Sequence, residues 1–514
     1  PFPPKQFETL PPAKRLAAST PELPVSHPNY LSRRDFIQFS AMVTAALGVS
    51  SCVSFSQGPR KPRPIAAGAK IRFAQIGCGG KGFSDTMGNK DEEVVALCDI
   101  DWEGETPRAA TKAGKDAGKE AKEPRLSNIK TLFKEFPNAK RYKDFRKMLI
   151  EMDDQIDAVG IATPDHMHFL PAYMALMMGK HVYVQKPLTQ TVGEARELLR
   201  IARLNGACTQ MGNQGHSNEG IRLVKEWIGA GLLGDVRDVQ IWTNRPIWPQ
   251  GFQEWPTPDA VPSGLAWDLW LGRAPDKPFS KKIHPFNWRG YQDYGCGALG
   301  DMACHLMDAA YWGLELGAPT SVELKQIDGA SKVAFPKSAV VEYQFPARGK
   351  MPPVKLMWHE GGVRPDKPAK LEESRQLARG GQLIIGSKAT VYDGGDYCLS
   401  PRFIPEDYHK ELIATNQLPP KTLPRPDPIG NPHKEWMKAI RDNKPQQAGS
   451  NFEYSVPFTE MVALGTMSIL VGKKFTWDPI TMKTSSPEAD KLLYPQYRRG
   501  WSPRELGVGS PTVA

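Results

Sequence analysis

The chemistry in this chain starts at Gly77-Cys78-Gly79-Gly80-Lys81-Gly82. An apolar run at 71–76 precedes these residues, and a second run at 94–98 ends in Asp99. A buried strand, a G-x-G-x-x-G turn and an acid 22 positions after the first glycine form the pattern that receives a dinucleotide. Gly77 permits the tight turn, Gly79 with its neighbour Gly80 leaves room for a pyrophosphate, and Gly82 lets the following helix lie close on the strand. The N-terminus of that helix offers unpaired N–H groups and a partial positive charge. Asp99 can accept hydrogen bonds from the adenosine ribose hydroxyls, which favours NAD over NADP.

The elements that must position this turn alternate. Strands are expected at 156–162 and 181–184, with helices at 142–150, 169–178 and 193–204. Alternation of this kind implies a parallel sheet built by right-handed crossovers. The charged stretch 112–125 and the segment 129–136 read as a solvated helical excursion. From 206 the pattern changes. Strands at 236–242, 322–325, 339–345, 354–359, 383–385 and 390–392 lack intervening helices and read as antiparallel. Helices are expected at 220–230, 300–314, 432–441 and 457–471. The fold class is therefore an α/β Rossmann domain, 71–205, followed by an α+β domain, 206–514, with a mostly antiparallel open sheet. The loop between 242 and 300 carries Trp248, Trp255, Trp267, Trp270 and Trp288. Such residues either stack on sugar faces or fasten a long loop.

Charge excludes some partners. Of a formal +10 over 514 residues, +6 falls in residues 1–70, and no basic block lies on a helix, so no nucleic acid partner is expected. Cys296, Cys304 and His305 lie close together but match no zinc spacing, and no metal is expected. Residues 1–51 read as an extension with an export signal. Arg33-Arg34 precede the short apolar run 36–49, as in a twin-arginine signal read by the export machinery. The run is too short for a span of about 20 residues. Val49-Ser50-Ser51-Cys52 resembles a lipobox, which makes Cys52 the candidate for a lipid anchor. Residues 52–70 read as a flexible linker. The expected location is periplasmic, with the protein tethered to the membrane if Cys52 is acylated. Export of a folded protein agrees with a resident cofactor.

Four motifs then occur in a recognisable order: the glycine turn, Thr163-Pro164-Asp165-x-x-His168, Gln185-Lys186-Pro187, and Gly300-Asp301-x-x-x-His305-x-x-Asp308. In this the chain resembles the Gfo/Idh/MocA oxidoreductases from residue 71 onward. Tyr497-Arg498-Arg499-Gly500-Trp501 resembles the tail of an exported branch. The resemblance implies an active site between the two domains and a homo-oligomer formed through the open sheet. It implies that Lys186 contacts the cofactor and the reacting hydroxyl, and that Pro187 is cis. It makes Asp301 and His305 a catalytic pair, and sets Thr163, Pro164 and His168 against the nicotinamide. Alone, Asp301 reads as a helix N-cap and His305 as an interior histidine. Their conjunction with Lys186 and the glycine turn reverses that reading. Four residues apart on a helix, they share a face, and histidine is the usual base for alcohol oxidation.

The chain departs from the family at Gln185, where the family carries glutamate. Asn213, Gln214 and His216 lie where the family lines its substrate cleft; they read as sugar-hydroxyl ligands or as a plain polar loop. The implied function is an NAD(P)-dependent oxidoreductase for a secondary alcohol of a carbohydrate (sugar, cyclitol or glycoside), with tightly bound, recycled NAD. The alternative is a redox-neutral NAD-dependent glycosidase or lyase, similar to glycoside hydrolase family 109, working through a 3-keto intermediate. A non-catalytic sugar-binding protein is the third reading, and the joint presence of Lys186, Asp301 and His305 argues against it.

Overall fold

The computed structural model describes residues 58–103 and 125–508. Arg33-Arg34, the apolar run, Cys52 and most of the charged stretch 112–125 lie outside them. All the described residues fall in one unit, 55–514.

Among the described residues the first sheet has six strands: β1 (Arg72–Ile76), β2 (Glu93–Cys98), β3 (Lys140–Tyr142), β4 (Ala158–Ile161), β5 (His181–Val184) and β6 (Thr209–Met211). Their order is 3-2-1-4-5-6 and every pairing is parallel. This is the doubly wound arrangement, in which ligands bind at the carboxyl ends of the strands. Strand β6 lies beyond the boundary expected at 205. It is short and polar, so it carries little strand signal. Its side chains serve as anchors instead: Thr209 Oγ1 accepts from Phe452 N at 2.9 Å and Gln210 Oε1 from Ser450 N at 3.2 Å.

Three further differences have physical causes. Helix Arg125–Glu135 is not wholly solvated, because Ile129 and Leu132 are buried in the core. Helix Pro432–Arg441, assigned by sequence to the second domain, packs on the first sheet, with Trp436 edge-on to Phe73 and Tyr183. The described part of the expected linker is docked rather than free. Arg60 forms a two-pronged pair with Asp153 at 2.7 and 2.8 Å, and Arg63 donates to the carbonyls of Asp154 and Ile156.

The second sheet contains β7 (Val236–Trp242), β8 (Ser321–Asp328), β9 (Ser338–Phe345), β10 (Val354–His359), β11 (Gly381–Gly386), β12 (Thr390–Asp393), β13 (Arg402–Ile404), β14 (Phe475–Asp478) and β15 (Lys483–Thr484). Their order is 13-12-11-7-10-9-8-14-15. Within this sheet β7 and β10 pair in parallel, and the other pairings are antiparallel. The apolar helix Phe452–Val471 packs against β6 on one side and against β8 and β9 on the other, which joins the two sheets through one core. The helix expected at 300–314 is two helices, Gly297–Leu306 and Asp308–Gly313, which meet at Met307. That break separates Asp308 from the helix that carries Asp301 and His305.

Candidate active site

A cleft of about 430 Å3 runs past the carboxyl end of the first sheet. Gly77, Gly79, Gly80 and Asp99 line it, and so do Thr163, Pro164, His168, Lys186, Asp301 and His305.

At the nucleotide end the glycines are needed for space. Gly77 has φ 79°, and a Cβ there would lie 2.6 Å from Ala162 O. A Cβ on Gly82 would lie 1.7 Å from Gly77 O, so the helix Lys81–Gly88 reaches this close to the turn only with glycine. Asp99 has a task the sequence did not reveal: its Oδ2 accepts from Cys78 N at 2.7 Å and Gly79 N at 3.3 Å, while Oδ1 accepts from Asp101 N at 3.0 Å. The carboxylate therefore braces the turn as well as facing the cleft. A helix N-terminus, an open side at Gly80 and an acid at the end of β2 together fit a dinucleotide.

Gln185 is buried below this end. Its Nε2 donates to Asp85 Oδ2 at 2.8 Å. The buried Asp85 also receives Lys81 Nζ, and His433 Nε2 lies 3.0 Å from its Oδ1. Burial raises the Asp85 carboxyl, but Lys81 and His433 outweigh it and hold the group below its usual range. The departure at Gln185 is thereby explained. A carboxylate already occupies this pocket at 85, so residue 185 supplies a donor.

At the reaction end the expected residues converge. Lys186 follows β5, and its bond to Pro187 is cis. Its Nζ donates to Asp301 Oδ1 at 2.9 Å and to Asp301 O at 3.0 Å. Arg289 Nε donates to the same Oδ1 at 3.3 Å. Burial opposes ionisation of Asp301, yet Lys186 and Arg289 overcome it and hold the carboxyl well below its usual range. One turn on, His305 is 3% exposed, its ring stands edge-on to Tyr397 at 4.9 Å, and its Nδ1 has no hydrogen-bond partner among the described residues. Burial, reinforced by the Lys186 charge, drives its pKa far below the usual imidazole range. The ring is thus a neutral proton acceptor, and Asp301 is the neighbour that favours its cation.

His168 acts as a staple. Its Nδ1 lies 2.7 Å from Pro187 O and its Nε2 2.9 Å from Thr163 O, so the ring sits between the loop after β4 and the loop carrying Lys186, and the single N–H of its neutral form donates to one of the two carbonyls. Burial lowers its pKa to about 4. Asp165, in the same loop, is pushed up to about 7 by burial, against the pull of Arg289 and Lys186.

Of the three expected sugar ligands, only Gln214 lines the cleft. Asn213 and His216 are corrected: both are buried and turned onto Asp308. Asn213 Nδ2 donates to Asp308 Oδ2 at 2.9 Å, His216 Nδ1 lies 3.0 Å from Oδ1, and the Tyr454 hydroxyl donates to that same oxygen. A buried carboxylate needs donors, and these residues supply them. The tryptophans divide between the two roles. Trp248 lines the cleft, Trp255 and Trp267 pack in the loop's own core, and Trp270 and Trp288 do both. Sequence reasoning missed Arg245, Arg289 and Tyr397, which also line the cleft. Arg289 follows a noted tryptophan, but nothing local marked the other two. Among the described residues no group of three or more His, Cys, Asp or Glu side chains is placed to hold a metal.

Comparison with known proteins accords with this geometry. A family model described as "Oxidoreductase family, NAD-binding Rossmann fold" matches residues 71–213, and a second, "Oxidoreductase family, C-terminal alpha/beta domain", matches 218–342. The scyllo-inositol 2-dehydrogenase (NADP(+)) of Bacillus subtilis is 26% identical over 143 residues, 28% of this chain and 39% of that protein. A glycosyl hydrolase family 109 protein of Saccharopolyspora erythraea is 28% identical over 230 residues, 41% of this chain and 45% of its own. The match therefore spans less than half the length of these curated relatives. In fold, the chain is similar to an inositol dehydrogenase homolog of Azotobacter vinelandii, solved with NADH and myo-inositol. That likeness has a TM-score of 0.51 at 15% identity, covering 82% of this chain and all of the other. The two family matches together take in more than half of the 514 residues, and the chain belongs to the Gfo/Idh/MocA oxidoreductase family.

Proposed function

We propose that the protein oxidises a secondary alcohol of a sugar, cyclitol or glycoside, using an NAD that stays bound and is recharged in place by a second substrate. One observation carries this reading: Lys186, Asp301 and His305 meet in the cleft whose other end is the glycine turn. Gly77, Gly79, Gly80, Gly82 and Asp99 would hold the dinucleotide, and Thr163, Pro164 and His168 would face its nicotinamide half. When bound, the nicotinamide supplies a hydride acceptor. The residues of the chain do the rest. Lys186 donates to the alcohol oxygen and fixes it. His305, neutral by burial, takes the hydroxyl proton. Asp301 holds Lys186 in place and stabilises the imidazolium that forms.

The acid at the end of β2 supports NAD over NADP. The likeness to glycosyl hydrolase family 109 over 230 residues supports a second reading, net hydrolysis through a transient 3-keto sugar. We place the protein outside the cytoplasm, exported through Arg33-Arg34, lipid-anchored at Cys52 and paired with a second copy of itself through the open sheet. A resident cofactor suits that location, since no free pool would recharge it.

The test is to purify the protein, assay bound dinucleotide, and follow nicotinamide absorbance and product masses against a panel of alcohols and aryl glycosides. Reduction of bound cofactor supports oxidation, and phenol release without net reduction supports the second reading. A folded protein that binds no dinucleotide sinks both.

A further inference from the structure

Two guanidinium groups in the cleft have donors to spare beyond the chemistry above. Arg245 and Arg289 both come from the segment between β7 and the helix Gly297–Leu306, on the substrate side. Arg289 is held rigidly. Its guanidinium carbon lies 4.2 Å from the Trp288 ring centroid and 4.8 Å from that of Phe286, Nη1 donates to Phe286 O at 3.2 Å, and Nε is on Asp301. Among the described residues its Nη2 has no hydrogen-bond partner. Arg245 spends Nη1 on Asn244 Oδ1 at 2.5 Å, while its Nη2 is a marginal 3.5 Å from Asp396 Oδ2 and its Nε has no partner among the described residues.

The local charge is short of anions. Lys186 and Arg289 share one carboxylate, Asp301, and Arg245 has only the distant Asp396. Asp165, the other acid of this region, is pulled towards its neutral form by burial. Both arginine side chains are largely withdrawn from water yet still 23% exposed to the cleft, and an incoming anion offsets what that partial desolvation costs. The planar fork of arginine matches carboxylate oxygens two at a time and binds sulfate as well. Trp248, Phe286 and Trp288 line the cleft with the two forks and add apolar surface to its wall.

We propose that the substrate is an acidic sugar, a glycoside or cyclitol carrying a carboxylate or a sulfate ester, whose anionic group is received by Arg245 and Arg289. This rests on the oxidoreductase reading above for its chemistry, but not for its binding.

The test pairs methyl glucoside, galactoside and mannoside with the matching methyl uronides and 6-sulfates, on the NAD-loaded protein. Turnover is read by absorbance, and equilibrium binding by tryptophan fluorescence. The expected result is a preference of about tenfold or more for the acidic member of at least one pair, the size of a charged hydrogen bond. A stronger uronide than sulfate effect assigns the carboxylate, and the reverse assigns the sulfate ester. Arg245→Met should bring the acidic-to-neutral ratio towards one, and Arg245→Lys should keep part of it. Equal treatment of acidic and neutral members in both readouts overturns the inference and leaves the oxidoreductase reading standing. Acidic ligands that bind through Arg245 but are never oxidised leave the inference standing and overturn that reading. Circular dichroism of each variant separates loss of the site from loss of the fold.

Discussion

The two ends of the cleft are built on opposite principles. At the nucleotide end the buried carboxylates are spent: Asp99 accepts three backbone N–H groups, and Asp85 is surrounded by Lys81, His433 and Gln185. At the reaction end valences are left open. His305 Nδ1 has no partner among the described residues, burial raises the Asp165 carboxyl to about 7, and one carboxylate serves two cations. Carboxylates with their valences filled hold a shape, here one that must fit a fixed ligand, even though Gln75 Oε1 under the turn has no partner among the described residues. An unsatisfied site keeps groups ready for bonds that form only with substrate, at a cost of roughly 1–3 kcal/mol for each open polar group. Stability and reactivity are therefore separated along one cleft.

The sharpest test of that contrast is His305→Ala. Turnover should fall about 10²–10⁴-fold, the usual worth of a general base. Dinucleotide affinity, read by fluorescence titration, should stay within about threefold, because the nucleotide end does not lean on this ring. A parallel loss of affinity would show the two ends to be one unit.

The next largest effect lies below the nucleotide end. Asp85→Asn takes the carboxylate from the buried His433 and the partly exposed Lys81 and should cost roughly 1–3 kcal/mol in denaturant unfolding. Gln185→Glu sets a second carboxylate against the first and should also destabilise. The double variant Asp85→Asn/Gln185→Glu moves the charge to the family's position and should recover at least half of the loss. Additive losses would break the link between residues 85 and 185.

The same contrast governs what could be read in the sequence. The nucleotide end is local, within 71–99, so spacing alone carried it. The reaction end draws on 163–168, 185–187, 245, 289, 301–305 and 397. Only the segments with short motifs were visible there. Arg245 and Tyr397 arrive by long-range packing, which no local pattern records. Asn213 and His216 were misplaced for a related reason. A polar run after a Rossmann helix looks like a ligand site, but its side chains answer a carboxylate at 308 that the sequence placed on the wrong helix. Strand β6 was lost likewise, its partner lying some 240 residues away in the Phe452 to Thr209 bond, and helix Pro432–Arg441, legible as a helix, was given to the wrong sheet because Trp436 meets Phe73 across most of the chain.

His216→Ala separates these cases. It removes a ring held to the buried Asp308, outside the cleft. The expected loss is roughly 1–3 kcal/mol of stability, with KM for any substrate unchanged. A rise in KM without loss of stability would return His216 to the substrate site.

The smallest effect is a slope with pH. Burial raises Asp165 to about 7, so the native state binds a proton there that the unfolded chain releases near 4. The sign follows directly. The contribution of Asp165 is fully favourable below about pH 4 and is lost as pH climbs to about 7, where ionisation sets in within the fold. His168, lowered to about 4 by burial, acts oppositely: its contribution is full above about 6.5 and fades as pH falls towards 4. Asp165→Asn removes the first trend and keeps the second. Relative to wild type, the variant should therefore gain about 1–2 kcal/mol between pH 5 and 8 in urea unfolding, below the full linkage value because water in the open cleft screens the charge. Glu360, raised to about 8 by burial, has the same sign as Asp165 but is common to both proteins and cancels in the difference. Parallel curves for wild type and variant would mean that Asp165 is ionised across this range, and the carboxylates of the reaction end would then be as well compensated as those of the nucleotide end.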